Sequence, residues 1–280
     1  MSVLLGEALG QRACSYTDFE TGATSVTVYL PRKPPLPGPK RAWLAALLER
    51  LNGCGLNVGP AEVLVTPVRK EHWAESWKRH FQPIEINSAL LIKPSWSERR
   101  PRKGQAVVVL DPGLSFGTGQ HPTTAFCLQE IQSWRNGDES QSFLDLGTGS
   151  GILAIAAAKL GYTPVEAIDN DAEAVRTARA NAKRNRELQR IRFLRRDVTR
   201  LPRRPIRQYS LICANLVSTL LLAERGRILA RLEDAGMLVI AGVLKTEFRR
   251  VREAYEAAGL QLVATRTEKE WRSGSFTWRL

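Results

Sequence analysis

The sequence predicts an α/β protein in which a parallel sheet is preceded by a small α+β domain. From residue 105 onward, short apolar segments of strand length alternate with segments of helical periodicity, which is typical of βαβ units. Before that point, residues 25–30 alternate as a strand, residues 40–51 place leucines on one helical face, and residues 61–68 read as a second strand. The polar stretch 97–104 is a turn or linker.

Three segments follow from this pattern. They are a small α+β domain over 1–70, a linker helix with connecting strands over 71–104, and the α/β domain over 105–280. In the linker we predict a helix at 71–81 and strands near 84–86 and 89–92. In the α/β domain we predict strands at 106–110, 142–146, 165–169, 191–194, 209–214, 237–241, 261–265 and 275–279, and helices at 122–134, 152–160, 172–186, 217–232 and 246–258. The last two strands have no helix between them, which predicts a terminal antiparallel pair.

Composition excludes several classes of protein. With 43% hydrophobic and 25% charged residues among 280, the chain is typical of a globular protein. It holds no apolar run of the roughly 20 residues that span a bilayer, and its first residues, Met1–Glu7, lack a basic start, so we expect a cytoplasmic protein without membrane attachment. The four cysteines and three histidines are scattered, which predicts no metal site, and Cys213 in an apolar run is expected to be a buried, inert thiol.

The net charge of +13 suits RNA or acidic partners. One stretch holds eight arginines against a single aspartate, and its arginines are Arg190, Arg192, Arg195, Arg196, Arg200, Arg203, Arg204 and Arg207. Two interpretations stay open, a solvated basic surface, which is favoured, and a contact with the ribosome or its RNA. Few aromatic side chains interleave with these arginines, so no stacking platform for single-stranded RNA is evident.

A glycine-rich turn after the strand at 142–146 is the most informative feature. Gly147, Gly149 and Gly151 follow that strand and precede a helix, where glycine lets the backbone approach a ligand closely. The next strand ends at Asp169, 22 residues after Gly147, where an acid can bind both hydroxyls of an adenosine ribose. The G-x-G-x-G spacing and the acid at Asp145 favour S-adenosylmethionine over a dinucleotide, whose pyrophosphate an acid would repel. A purely structural turn is the remaining alternative.

A second glycine-rich segment, DPGLSFGTGQHPTT, spans residues 111–124. With FLDLGTGSGILAIAAAKLG at 143–161, AIDND at 167–171 and ANL at 214–216, it resembles the ribosomal protein L11 methyltransferase family. WAESWKRHFQPIEI and KPSW, between residues 73 and 96, are similar to the inter-domain region of that family. The resemblance covers about residue 70 to the end and, more faintly, the N-terminal domain. Gln120 and the residues after Asn215 differ from the usual ones of the family, which bears on the substrate more than on the cofactor.

The resemblance implies a seven-strand Rossmann-like methyltransferase sheet and an N-terminal domain that recognises a ribosomal protein. It also implies methyl transfer from S-adenosylmethionine to lysine side-chain and N-terminal amines of that protein. By position, the family's cofactor contacts fall on Thr124, Gly147, Asp169 and Asn215. No catalytic base is identified, since His121, the histidine next to the motifs, is at least as well explained by packing at a helix start. Asp197 either caps a turn or faces the adenine amino group.

Two other functions remain as alternatives. The chain can be a methyltransferase of a different protein or of a small molecule, although Leu216 after Asn215 departs from the Asn-Pro-Pro-Tyr motif of nucleic-acid amino-methylases. It can also be a non-catalytic, RNA-binding assembly factor that uses the same fold, which the +13 charge permits. The intact set of turn glycines, Asp169 and Asn215 argues against this second alternative, because a scaffold needs none of them.

Overall fold

The structure is a computed structural model, and it describes residues 13–17, 24–28, 46, 82–86, 88–111, 119, 121–137 and 140–279. The chain divides into two compact units, Met1–Ser76 and Trp77–Leu280. The boundaries at 70 and 104 that the sequence suggests stay a prediction.

The first unit contains an antiparallel pair of strands. Strand β1 (Ala13–Thr17) pairs with β2 (Thr24–Val28), with Ser15 opposite Val26. The alternation at 25–30 therefore does mark a strand, whereas β1 has no counterpart among the predicted elements. The helices predicted at 40–51 and 71–81 and the strand predicted at 61–68 lie outside the described residues, except for the helical residue 46.

A three-stranded sheet opens the described part of the second unit. Its strands are β3 (Ile84–Ile86), β4 (Leu90–Lys93) and β5 (Ala106–Val109), with β4 antiparallel to β3 and parallel to β5. The prediction that 106–110 begins the large sheet is wrong, because β5 pairs with β4 instead. Both backbone groups of Val109 bond to the side-chain amide of Asn185, at 2.8 and 2.7 Å, which satisfies the backbone of that residue on the edge of β5 away from β4.

The large sheet has seven strands in the order β11-β12-β10-β9-β6-β7-β8. Strands β6 to β10 are mutually parallel, and β12 lies antiparallel between β10 and β11, which confirms the predicted terminal pair. The strands are β6 (Phe143–Leu146), β7 (Val165–Asp169), β8 (Ile191–Arg195), β9 (Tyr209–Asn215), β10 (Leu232–Leu244), β11 (Leu260–Glu268) and β12 (Trp271–Trp278).

Six helices are described, and four of them match the predicted segments to within a few residues. They are α1 (Pro122–Ser133), α2 (Ile152–Lys159), α3 (Ala172–Arg184), α4 (Ser218–Ala223), α5 (Arg225–Leu229) and α6 (Phe248–Glu256). The single helix predicted at 217–232 is wrong. It divides at Glu224, whose φ of −103° and ψ of 13° leave the helical region, and Gly226 beyond it has low helix propensity. Strand β10 then begins at Leu232, opposite Tyr209.

Alternate residues of the central strands face opposite sides of the sheet, as the two-residue period of a strand requires. Phe143 and Leu211 belong to one buried cluster, together with α1, α2 and the three-stranded sheet. Leu144 and Ile212 belong to the other, with α4 to α6. Both faces of the central strands are thus covered, and the ligand-binding edge is formed by the loops at the carboxyl ends of the parallel strands. No described helix has the length and apolar character that crossing a bilayer demands.

Candidate functional site

The candidate site lies where the strand order of the large sheet reverses. From β6 the chain proceeds to β7 and β8 on one side and then returns to β9 on the other side. The connections at the carboxyl ends of β6 and β9 therefore diverge, and they leave the crevice in which open α/β sheets bind ligands. The carboxyl ends of β6, β7 and β9 carry Leu146, Asp169 and Asn215, so the predicted Gly147, Asp169 and Asn215 are brought to one edge.

The glycine turn after β6 cannot accept side chains. Gly147, Gly149 and Gly151 have φ values of 80°, 53° and 82°, in the left-handed region that favours glycine. A Cβ at Gly147 would lie 2.6 Å from Cδ2 of Leu216, and one at Gly151 would lie 2.9 Å from Cβ of Ala178. Glycine at 147 thus lets the turn pack against Leu216 in the loop after β9, and glycine at 151 lets the start of α2 pack against Ala178 of α3.

Asp169 supports the glycine turn from the neighbouring strand. One carboxylate oxygen, Oδ2, accepts the backbone N–H of Gly149 at 2.9 Å, and Oδ1 accepts that of Asp171 at 3.0 Å. The side chain is half-buried, and each oxygen keeps a further lone pair for a ligand hydroxyl. Asp169 thus links the turn after β6 to the end of β7, at the place where the sequence predicts a ribose-binding acid.

Asp145 is a fully buried carboxylate directly beneath the turn. Its Oδ2 accepts the hydroxyl hydrogen of Thr148 at 2.7 Å, while its Oδ1 has no hydrogen-bond partner. Burial raises the pKa of Asp145 to about 7, and the charge of Asp169 adds to that rise while the bond from Thr148 opposes it. In the ligand-free site Asp145 is therefore protonated in about half of the molecules near pH 7, and a cationic group beside it would favour release of that proton.

The raised pKa of Asp145 predicts how stability depends on pH. Its folded-state pKa, about 7, exceeds the ordinary value of 3.8, so folding opposes ionisation and this group's stabilising contribution is lost as pH rises from about 4 to about 7. Replacing Asp145 by Asn removes that loss. In ligand-free protein we expect the stability of Asp145→Asn relative to wild type to rise by on the order of 2 to 3 kcal/mol between pH 5 and pH 7, measured by chemical denaturation. If the free energies of unfolding of wild type and Asp145→Asn changed in parallel with pH, this prediction would be contradicted.

The first turn of α1 lies beside the end of β9. Asn215 donates from Nδ2 to Oγ1 of Thr123 at 3.4 Å, and that hydroxyl also lies 2.7 Å from Nδ1 of His121. The His121 ring packs edge-on against Trp271 with 5.0 Å between ring centroids, and burial lowers its pKa. The packing role predicted for His121 at the helix start is confirmed. Thr124 is 1% exposed, and its Oγ1 has no hydrogen-bond partner.

Gly242 is a site residue that sequence reasoning missed. It lies in β10 with a φ of 79°, and a Cβ there would lie 2.8 Å from Oδ1 of Asn215 and 2.9 Å from the backbone oxygen of Leu216. The absence of a side chain at Gly242 therefore leaves room for the Asn215 carboxamide. A glycine inside an apolar strand pattern is a known signal of close backbone approach, and it was available in the sequence.

The remaining residues that the sequence singles out lie outside the glycine turn. Asp197 caps the 3₁₀ turn Val198–Arg200 by accepting the N–H of Thr199 at 2.9 Å, so its capping role is confirmed and a contact with adenine stays a prediction. In the second glycine-rich segment, residues 112–118 and 120 lie outside the described residues. A Cβ at Gly119 would lie 3.2 Å from Ile152, so Gly119 itself lies beside the first residue of α2, the helix that follows the glycine turn. Cys213 is fully buried, as predicted. Among the described residues no three metal-ligating side chains cluster.

Comparison with known proteins places the chain in one family. The family model described as "Ribosomal protein L11 methyltransferase (PrmA)" matches residues 39–277. The ribosomal protein L11 methyltransferase of Exiguobacterium sp. is 37% identical over 225 residues, which cover 80% of this chain and 70% of that protein. The one from Desulforapulum autotrophicum is 41% identical over 204 residues, covering 73% and 66%. The crystal structure of ribosomal protein L11 methylase from Lactobacillus delbrueckii subsp. bulgaricus is 27% identical, with a TM-score of 0.63, and covers 71% of this chain and all of that one.

The fold and the site define a Rossmann-like methyltransferase that uses S-adenosylmethionine. The chain belongs to the ribosomal protein L11 methyltransferase family. The residues present fit that cofactor. The turn stays free of side chains, because its glycines are in the left-handed region and a Cβ at Gly147 or Gly151 would meet Leu216 or Ala178. Two buried side-chain oxygens at this edge, Oδ1 of Asp145 and Oγ1 of Thr124, have no hydrogen-bond partner. Buried polar atoms are rarely left unpaired, so these two oxygens are the unsatisfied polar atoms that a ligand at this edge would have to reach.

Proposed function

We propose that this protein transfers methyl groups from S-adenosylmethionine to lysine side-chain and N-terminal amines of ribosomal protein L11. The observation that carries the proposal is the match to the family over residues 39–277, a range that contains every residue of the candidate site. In the same proposal, residues 1–70 recognise the ribosomal protein and the reaction takes place in the cytoplasm.

Four residues are proposed to hold the cofactor. Asp169 binds the ribose hydroxyls, and Gly147 lets the backbone approach the cofactor, because its φ of 80° excludes a side chain. Thr124 offers a buried hydroxyl that lacks a protein partner, and Asn215 lies at the end of the neighbouring strand. Asp145 adds a carboxylate suited to an ammonium group, since a positive charge within a few ångströms favours ionisation of a buried acid.

The proposed methyl transfer depends on positioning the cofactor and the acceptor amine more than on covalent catalysis by the protein. When bound, the cofactor supplies a methyl group already activated on a positively charged sulfur. The acceptor amine must be neutral, and deprotonating a lysine at pH 7 costs about 4 to 5 kcal/mol, a cost that a desolvating site lowers. Because Nδ2 of Asn215 is engaged by Thr123, its Oδ1 is the end left to accept a hydrogen from the amine. We assign no side chain of the described site to the role of general base.

The experiment that tests this proposal is methylation of the purified substrate. Purified enzyme, S-adenosylmethionine and free ribosomal protein L11 from the same organism are incubated, and the intact mass of L11 is measured over time. We expect successive increments of one methyl group, mapped by peptide fragmentation to lysine side chains and the N-terminus. Binding of the cofactor without any mass increment on L11 would leave methylation of another protein or of a small molecule as the better assignment.

The same assay separates the enzyme from the assembly-factor alternative. A scaffold protein would neither bind S-adenosylmethionine in a calorimetric titration nor modify L11. What supports the enzyme is the retained geometry of the edge, where Asp169 still bonds the backbone of Gly149 and Gly242 still leaves room for Asn215. A protein that no longer used the cofactor would have no reason to keep either contact.

A further inference from the structure

One basic loop is far from the candidate site and is not used by the proposed chemistry. The arginine loop, residues 202–208, connects the 3₁₀ turn Val198–Arg200 to the first residue of β9. Three of its side chains, Arg203, Arg204 and Arg207, are exposed to solvent. Together with Pro205, Ile206, Gln208 and Ala230 they line a surface cavity of about 340 Å³.

Hydrogen bonds hold both ends of the arginine loop, from the side chains of Arg227 and Arg231 at its start and from the loop's own Gln208 at its end. Arg227 donates from Nε to the carbonyl of Leu201 at 2.7 Å, and Arg231 donates from Nη2 to that of Pro202 at 2.9 Å. At the other end, Gln208 donates to the carbonyl of Leu232 at 3.1 Å. Arg231 is only 5% exposed. Because hydrogen bonds hold both ends of the loop, and a buried Arg231 and a half-buried Arg227 hold the first end, its exposed arginines are presented from a defined backbone.

Five of the eight arginines of the basic stretch show the contrast between paired and unpaired side chains. Arg190 and Arg192 are paired with Glu187 and Glu166, at 3.2 and 3.4 Å. In contrast, within the described parts of the chain no carboxylate lies within 4.0 Å of the charged groups of Arg203, Arg204 or Arg207. Their guanidinium groups therefore remain available, and each can bind a phosphate through two parallel hydrogen bonds.

The position of the loop leaves the methyltransferase site open. It precedes Tyr209, the first residue of β9, whereas Asn215 is the last residue of the same strand. Six residue steps of a parallel strand separate the two ends by roughly 20 Å. An anion bound at the loop and a protein substrate bound at the carboxyl edge are thus held at opposite ends of the sheet and do not compete for space.

We propose that the arginine loop is an RNA-docking surface that binds phosphodiester groups through Arg203, Arg204 and Arg207. The choice of RNA rests on the proposed function, since the substrate of that function is a protein of the ribosome. A lipid surface is a poorer fit, because the loop offers one exposed apolar side chain, Ile206, and stable membrane attachment needs a larger apolar face. RNA bound at the arginine loop would hold the enzyme close to ribosomal RNA while its active site methylates L11.

The test compares two triple variants of the full-length protein. In Arg203→Gln/Arg204→Gln/Arg207→Gln the loop loses three charges. The control, Arg249→Gln/Arg250→Gln/Arg252→Gln, removes three exposed arginines from α6 and so lowers the net charge equally. Binding of a fluorescein-labelled RNA hairpin is followed by anisotropy over a range of salt concentrations. The same preparations are assayed for methylation of free L11 and for sedimentation with vesicles containing anionic phosphatidylserine.

We expect the loop variant to bind the hairpin about tenfold more weakly or worse at 0.1 M salt, and its plot of log affinity against log salt to be shallower by about 2 to 3. The control should bind nearly as wild type, and both variants should methylate free L11 normally. Equal losses in the two variants, an unchanged loop variant, or a loss confined to vesicle binding would each overturn the proposal. Failure of every preparation to methylate L11, with the RNA results as expected, would count against the proposed function alone.

Discussion

Replacing Asp169 by Ala is expected to weaken the binding of S-adenosylmethionine by about a hundredfold or more. The carboxylate is proposed to accept two ribose hydroxyls, and hydrogen bonds to charged groups contribute roughly 1.5 to 3 kcal/mol each. The same change removes the acceptor for the N–H of Gly149, which loosens the glycine turn itself. Calorimetric titration of the cofactor into wild type and variant measures the difference directly.

Two further variants make the Asp169 result specific. Asp169→Asn keeps one acceptor oxygen and should fall between wild type and Asp169→Ala. The control Asp234→Ala removes an exposed carboxylate near the start of β10, at the end of that strand away from the candidate site. It should bind the cofactor as wild type does. An unchanged affinity in Asp169→Ala, with the protein still folded by circular dichroism, would mean that the ribose is bound elsewhere.

Replacing Gly242 by Ala is expected to reduce methyl transfer to L11 by about a hundredfold. The new Cβ would lie 2.8 Å from Oδ1 of Asn215, so the carboxamide must move, and a displacement of about 1 Å at a reacting centre can cost that much. The backbone φ of 79° adds strain of about 1 to 3 kcal/mol for any residue with a side chain. Initial rates of L11 methylation and thermal unfolding separate the two effects.

The matched control for Gly242 is a glycine with space around it. Gly226 lies in α5, and a Cβ there would meet no atom within 4 Å. Because alanine is the better helix former, we expect Gly226→Ala to be more stable by about 0.5 to 1 kcal/mol and fully active. Wild-type rates in Gly242→Ala would show that Asn215 does not take part in the reaction.

The sequence predicts four neighbouring strands of the large sheet well. The predicted limits of β7 are the observed ones, and those of β6, β8 and β9 lie within one residue at each end, because each strand is a short, mainly apolar segment that follows polar or turn-forming residues. The glycine turn was predictable for a different reason. Its glycines and the following acid at Asp169 are set by local backbone geometry and by a fixed βαβ length, both of which are visible in one stretch of sequence.

The features that the sequence did not predict depend on contacts between distant segments. Nothing local places β5 beside β4 rather than in the large sheet, since its apolar residues suit either position. The role of Gly242 depends on its φ of 79° and on Asn215, which belongs to the adjacent strand. Likewise, the pairing of Thr123 with Asn215 joins residues 92 positions apart. The predicted helix at 217–232 rests on apolar periodicity alone, which continues through Gly226 and therefore does not show the break at Glu224.

The proposed cofactor site is tested most directly by a crystal structure of the protein with S-adenosylhomocysteine at saturating concentration. We expect the ribose hydroxyls against the carboxylate of Asp169 and the ligand's amino group near Oδ1 of Asp145, with the glycine turn closely following the ligand. A crevice at the ends of β6 and β7 that stays empty, or a ligand bound at another part of the sheet, would contradict it.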